Sequence, residues 1–430
     1  MNKNKLAMTP PMGWNSWDVY GASVTEDEVR KNAQYMAENL KEYGWQYIVV
    51  DIQWYEPKAE SCMYNSFTEL DMDEFSRLIP AENRFPSSKG GKGFKPLADY
   101  IHELGLKFGI HIMRGIPRQA VHNNTKILGT DITAREIAST DSICRWNTDM
   151  YGVNPRKKGA AEYYESLIRL YTEWGVDYIK VDDSSCAEIG DIPYFAEEIE
   201  LIRKAIDKCG CNIVLSLSPG PTSIKFANHL IQNANMWRIT GDFWDRWSSL
   251  YEEFEKCNKW SRYSGPGHWP DADMLPLGVL GIRTDKNDNY GVGRKTNFTR
   301  SEQIMMMSLW CMFRSPLMLG CELTKMDQWT LGLLTNREVL RILSDSYNGH
   351  QVYRDKDKIV WYADDVDGSS YIGFFNLSEK QEDISLNLKA IGLNSIYHCK
   401  DLWAQEEIGT IQGNIEFCIY PHSCKLIKLD

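Results

Sequence analysis

Tyr178-Ile179-Lys180-Val181-Asp182-Asp183 is a short apolar run that ends in two carboxylates. It follows a helix-like stretch, residues 161–175, closed by Gly175. Such a run reads as a buried strand whose tip carries acidic side chains. The pattern recurs in Tyr47-Ile48-Val49-Val50-Asp51 and in Met236-Trp237-Arg238-Ile239-Thr240-Gly241-Asp242. A further acidic loop is His268-Trp269-Pro270-Asp271-Ala272-Asp273-Met274. Strands alternating with helices predict a parallel α/β fold. Acidic residues at the carboxyl ends of several different strands predict a (β/α)8 barrel.

Working outward, eight strand candidates follow one another. They lie near residues 12–18, 46–51, 107–112, 177–182, 212–218, 236–240, 267–270 and 316–319. Helical patterns fall between them. One is capped by Thr25 with Glu28 three residues later and runs to about Glu42. Others cover residues 94–104, 193–208 and 301–313. A long loop, residues 52–92, interrupts the series, and loops of that length are usually functional or covering elements. After residue 347 the texture changes to short β-rich runs separated by turns such as Asp367-Gly368. The expected organisation is a barrel over residues 1–346 and an antiparallel β-sandwich over residues 347–430.

The 430 residues are 43% hydrophobic, enough for a large core. A net charge of −11 favours neither nucleic acid nor an anionic membrane as partner. No 18-residue apolar run suggests a membrane span, and Met1 to Pro11 lacks an apolar signal region, so the expected location is cytoplasmic. The eleven cysteines are scattered, and Cys209-Gly210-Cys211 is too tight for a zinc pair of usual spacing. No metal is expected. Gly291-Val292-Gly293 lacks the spacing of a dinucleotide loop, so no cofactor is expected either.

Alternation along the strand puts Lys180 and Asp182 on one face, with Val181 and Asp183 on the other. A buried charge needs a partner, so Lys180 and Asp182 should meet inside the barrel mouth. A neighbouring cation favours an ionised carboxylate, as a nucleophile requires. A structural ion pair accounts for the same two residues equally well. Arg238 can orient a carboxylate or a hydroxyl through its fork of donors. Asp242, just past that strand, could lean over the same mouth or cap the next helix. Asp51, Asp271 and Asp273 add carboxylates, and Trp17 and Trp54 could supply apolar walls. Converging carboxylates among many aromatics suggest chemistry on a sugar.

Thr9-Pro10-Pro11-Met12-Gly13-Trp14-Asn15-Ser16-Trp17 resembles the opening of glycoside hydrolase family 27, which contains α-galactosidases, α-N-acetylgalactosaminidases and some β-L-arabinopyranosidases. The resemblance continues through Gly175 to Asp182, through Trp237-Arg238 with Asp242, and through Gly265 to Leu275. It implies a (β/α)8 barrel with a C-terminal antiparallel β domain. It also implies a retaining exo-glycosidase acting on glycosides or oligosaccharides with terminal α-galactose-type residues. Asp182 matches the family nucleophile and Asp242 the acid/base. Trp17, Asp51, Lys180, Arg238 and Asp273 match sugar-binding positions. His111 stands where many relatives carry a tyrosine near the sugar. Ile52 replaces the second of two adjacent aspartates that in relatives hold the C4 and C6 hydroxyls. Gln53 or Glu56 could take over at C6, or the substrate could lack that carbon. Ser218, in Ser216-Leu217-Ser218-Pro219-Gly220-Pro221, is smaller than the usual residue near O2, as in enzymes that accept a 2-acetamido group. A catalytically silent carbohydrate-binding barrel is the competing reading. The presence of both catalytic carboxylates favours the enzyme.

Overall fold

In the computed structural model, residues 3–186, 193–283 and 292–430 are described. Gly291 of the glycine pair considered above lies outside them. Eight parallel strands form one sheet: β1 (Met12–Asn15), β2 (Tyr47–Val50), β3 (Lys107–Met113), β4 (Tyr178–Asp182), β5 (Val214–Leu217), β6 (Met236–Arg238), β7 (Trp269–Asp271) and β8 (Leu317–Leu319). Each strand pairs with its sequence neighbour, and β8 pairs with β1. The β7 side meets β8 at a parallel bridge between Leu275 and Leu319, so the sheet curls back on itself. This is the expected barrel, with an acidic residue ending or following β2, β4 and β7.

Strand alternation divides the core. Tyr47, Val49, Tyr178, Val214, Met236, Trp269 and Met318 pack together as one cluster inside the barrel. Ile48, Val50, Ile179, Val181, Leu215, Leu217 and Trp237 belong to a second, larger cluster with the surrounding helices. Lys180 and Asp182, at even spacing from Tyr178, therefore share the inner face. Gly13 on β1 is required by close packing, since a Cβ there would stand 2.5 Å from the Tyr47 carbonyl oxygen. Helix Glu26–Asn39 opens with the Thr25–Glu28 capping box, and Ala160–Glu173 and Ala196–Cys209 flank β4.

The long loop after β2 is folded onto the barrel. The Arg84 guanidinium donates to four backbone carbonyls, those of Gln53, Glu56, Ala22 and Val24, at 2.7–2.9 Å. A three-stranded sheet that the sequence pattern did not suggest, Ile116–Pro117, Met150–Val153 and Ala138–Ile143, lies between β3 and β4. The C-terminal region has a six-stranded antiparallel sheet from Ser346 to Leu429 and a two-stranded sheet, Glu382–Asn387 with Asn414–Ile419. Their facing sides enclose Val360, Ile372, Phe374, Ile384, Ile415 and Ile427. Among the described residues no helix is long and apolar enough to cross a membrane. No two of the eleven cysteines are joined in a disulfide.

Candidate active site

The carboxyl ends of the barrel strands surround a cavity of about 420 Å³. Trp17, Asp51, Ile52, Lys180, Asp182, Ser218, Arg238, Asp242 and Asp273 all line it. Nine of the ten residues that the family resemblance assigns to the site are thus brought together, whereas Asp271, also expected at the mouth, does not line the cavity. Among the ten, His111 is the exception. It is 1% exposed and does not line the cavity, although β3 pairs with β4 in a register that sets His111 beside Lys180 and within reach of Asp182.

Asp182 sits at the tip of β4. His111 Nε2 lies 3.3 Å from its Oδ2, Ser218 Oγ donates to its Oδ1 at 3.2 Å, and the Asp183 N–H donates to Oδ1 at 2.9 Å. Burial alone would raise the pKa of this carboxyl. The hydrogen bond and charge of His111, the charge of Lys180 and the Asp183 N–H outweigh burial and hold it down at about 2. Asp183 turns the other way. Its Oδ2 meets Arg114 at 2.7 Å, and Arg114 also binds Glu198 at 2.7 Å in a buried network that fixes the end of β4. Asp183 and Asp273 both take left-handed backbone angles, φ +57° and +81°, which few non-glycine residues adopt and which cluster at functional sites.

Lys180 pairs with Asp51 at 3.0 Å rather than directly with Asp182, so the ion pair expected from strand alternation is made across the mouth. Asp51 also accepts from Asn15 Nδ2 at 2.6 Å and from the Ile52 N–H at 2.9 Å. Its carboxyl would be raised by burial, but Lys180, His111 and Asn15 bring it below the ordinary value. On the opposite wall Arg238 contacts Asp273 at 2.7 Å and Asp242 at 3.3 Å. The Asp242 side chain is 73% exposed. It caps no helix, since the next one begins at Trp247. Asp182 and Asp242 therefore face one cavity from different environments. One is partly buried and ionised by its donors, and the other stands at the solvent edge beside an arginine.

Three expectations need correction. Trp54 is fully buried among Tyr55, Phe94 and Trp174 and does not line the cavity. Gln53 is bound to Asp149 at 2.6 Å, and Glu56 accepts from Asn65 and Thr68. Both are buried away from the mouth, so neither reaches the place beside Ile52. Trp17, the other candidate wall, does line the cavity, stacked on Tyr64 with ring centroids 5.9 Å apart, together with Trp146, Phe243 and Trp244. Tyr64 and Trp146 come from loops without periodic pattern, where no sequence signal marks them.

A family model described as "Alpha galactosidase A" matches residues 9–154 and 154–345, and one described as "Alpha galactosidase C-terminal beta sandwich domain" matches residues 355–429. The α-galactosidase of Oryza sativa subsp. japonica is 28% identical over 99% of this chain and 86% of its own length. The crystal structure of a family 27 β-L-arabinopyranosidase from Geobacillus stearothermophilus is 59% identical, covers 100% of this chain and 98% of its own, and superposes with a TM-score of 0.97. A variant of that enzyme in complex with arabinose is 58% identical, with coverage of 100% and 99% and the same TM-score. Matches that run from the first barrel strand to the last strand of the sandwich, at this level of identity, place the protein in glycoside hydrolase family 27.

Proposed function

We propose that this glycoside hydrolase is a retaining exo-enzyme whose preferred sugar is a terminal β-L-arabinopyranoside, with the stereochemically equivalent α-galactosides as weaker substrates. β-L-Arabinopyranose is the α-galactopyranose ring without C6. The observation that carries the preference is Ile52. It lines the cavity next to Asp51, and the two polar residues that could have replaced the missing carboxylate are turned away. An apolar side chain there suits a ring that ends at C5 and leaves a C6 hydroxyl without a partner. The 59% identity to an enzyme described as a β-L-arabinopyranosidase supports the same reading.

In the first step Asp182 attacks the anomeric carbon while Asp242 gives its proton to the glycosidic oxygen, and the aglycone leaves. In the second, Asp242 takes a proton from water, and the hydroxide equivalent displaces Asp182 with net retention. Asp182 suits the first role because its donors keep it ionised. Asp242 suits the second because it meets solvent and the Arg238 fork. Asp51 and Lys180, with Asp273 and Arg238, hold the ring hydroxyls from two sides. Ser218 leaves room near O2 and steadies Asp182.

The test is a side-by-side assay on nitrophenyl β-L-arabinopyranoside, α-galactoside and α-N-acetylgalactosaminide. The arabinopyranoside should show the highest kcat/KM, by roughly tenfold, the worth of one lost hydrogen bond to a charged group. A kcat/KM higher for the galactoside would reject the preference and leave an α-galactosidase.

A further inference from the structure

Asp18 is a carboxylic acid that the reaction above leaves unused. It follows Trp17 in the short helix Trp17–Tyr20, just beyond the tip of β1, and it lines the same cavity. Only 4% of it is exposed, and its Oδ2 is buried without a hydrogen-bond partner. The chain makes room for this group. A Cβ on residue 320 would stand 2.2 Å from Asp18 Oδ2, so only glycine fits opposite it. Oδ2 is closed in by that packing, so a ligand in the cavity would meet the carboxyl through Oδ1, which has no hydrogen-bond partner among the described residues.

We propose that Asp18 is a substrate-binding residue whose carboxyl hydrogen-bonds a ring hydroxyl of the pyranose held beside Asp182. The charged and titratable groups around it are Asp273, Lys180, Asp242 and Asp51, with the buried Cys321 thiol behind. Burial, then the charge of Asp273, raises its pKa well above the carboxylate range. Asp242 and Asp51 add to this, and Lys180 only partly opposes it. Asp18 is therefore a neutral acid with a proton to donate. The other donors facing this mouth are Lys180, paired with Asp51, and Arg238, paired with Asp242 and Asp273. A sugar hydroxyl both donates and accepts. It can give its proton to an ionised aspartate while accepting one from Asp18.

The inference rests on Asp182 and Asp242 being the reacting pair. The experiment uses 2-, 3- and 4-deoxy nitrophenyl glycosides of whichever sugar the wild-type enzyme prefers. Wild type should lose roughly tenfold or more in kcat/KM when the contacted hydroxyl is removed. In Asp18→Ala that penalty should vanish at one ring position and persist at the others. Equal penalties in both enzymes at every position would overturn the proposal. Asp18→Asn keeps a neutral donor of the same shape and should retain kcat/KM within roughly threefold, at a fraction of 1.4 kcal/mol per decade. A loss as large as that of the alanine variant would overturn the donor role. The Tm of Asp18→Asn should stay near wild type. A Tm fall with unchanged deoxy penalties would make Asp18 a packing residue and overturn the proposal. An active enzyme with unaltered penalties defeats the role of Asp18 alone. A wild-type enzyme inert on every pyranoside defeats the reading it rests on.

Discussion

At the scale of single residues, Ile52 and the two catalytic carboxylates make separable claims. Ile52→Asp restores the adjacent pair of aspartates and gives a C6 hydroxyl a charged partner, worth roughly 1.5–3 kcal/mol. The ratio of kcat/KM should then move toward the galactoside by about tenfold or more. The same change sets a second carboxylate beside Asp51 at a site that is 2% exposed, so some stability is lost as well. A fall in Tm with an unmoved substrate ratio would mean that Ile52 only packs. The roles of Asp182 and Asp242 can be read from the products of azide rescue. Asp242→Ala still forms the glycosyl-enzyme from a dinitrophenyl glycoside, because that leaving group needs no proton. Azide should restore its turnover and give a glycosyl azide of the substrate's own anomeric configuration. Asp182→Ala removes the nucleophile and leaves space for azide, which should give the opposite anomer. If the two products were exchanged, so would be the assignments.

At the scale of strands and loops, the tip of β7 carries a stored charge problem. Asp271 is buried beside Asp273, and its Oδ1 accepts from the Asp273 N–H at 2.9 Å. Burial first, and then the charge of Asp273, raises its pKa to about 7 against the pull of Arg238. A carboxyl raised on folding stabilises the native state fully below its ordinary value of 3.8. That contribution is lost as pH rises through about 7. Asp271→Asn keeps the acceptor and cannot ionise. The wild-type Tm should fall between pH 4.5 and pH 7.5, and the variant should fall less, with a difference on the order of 2–4 kcal/mol. Glu253, also raised to about 7 by burial, leaves a residual slope in both proteins. Identical Tm–pH curves would refute this account of β7. The strand tips were legible in the sequence because alternation and a terminal acid fix which side chain enters the barrel. The loops were not. Ala138–Ile143 is a strand of polar, mostly exposed residues with no alternation to read. Tyr64 and Trp146 reach the cavity through loop paths that tertiary contacts set. Helix Trp247–Trp260 was missed because its start is a run of tryptophan, serine and aspartate without an N-cap signature, and its N-cap position is Arg246.

At the scale of the molecule, the change of texture near residue 347 reads as a boundary between two domains, yet one apolar cluster crosses it. Helix Arg300–Phe313 has eleven of its fourteen residues buried, too many for a helix covered on one side by a barrel. Trp361, Tyr371, Phe375 and Leu426 of the C-terminal sheet join the same cluster as Met305, Leu309 and Trp310 of that helix. Polar groups cross the junction too: Trp403 Nε1 donates to Ser308 Oγ at 2.8 Å, and the His422 ring stacks on Trp247 with centroids 3.6 Å apart. We infer that the regions 1–346 and 347–430 form one cooperative unit, in which the sandwich seals the last barrel helix. A chain ending at residue 346 would uncover the face of that helix around Ser308, which Trp403 and Cys424 touch, at about 25 cal/mol for each Å² of apolar surface uncovered. Such a fragment should be insoluble or lack a cooperative thermal transition, and the full-length enzyme should unfold in a single calorimetric peak whose midpoint coincides with loss of activity. No residue of the sandwich lines the cavity that holds Asp182 and Asp242. A soluble 1–346 fragment that hydrolyses the nitrophenyl glycoside would therefore show that the barrel stands alone and that the shared cluster is only an interface.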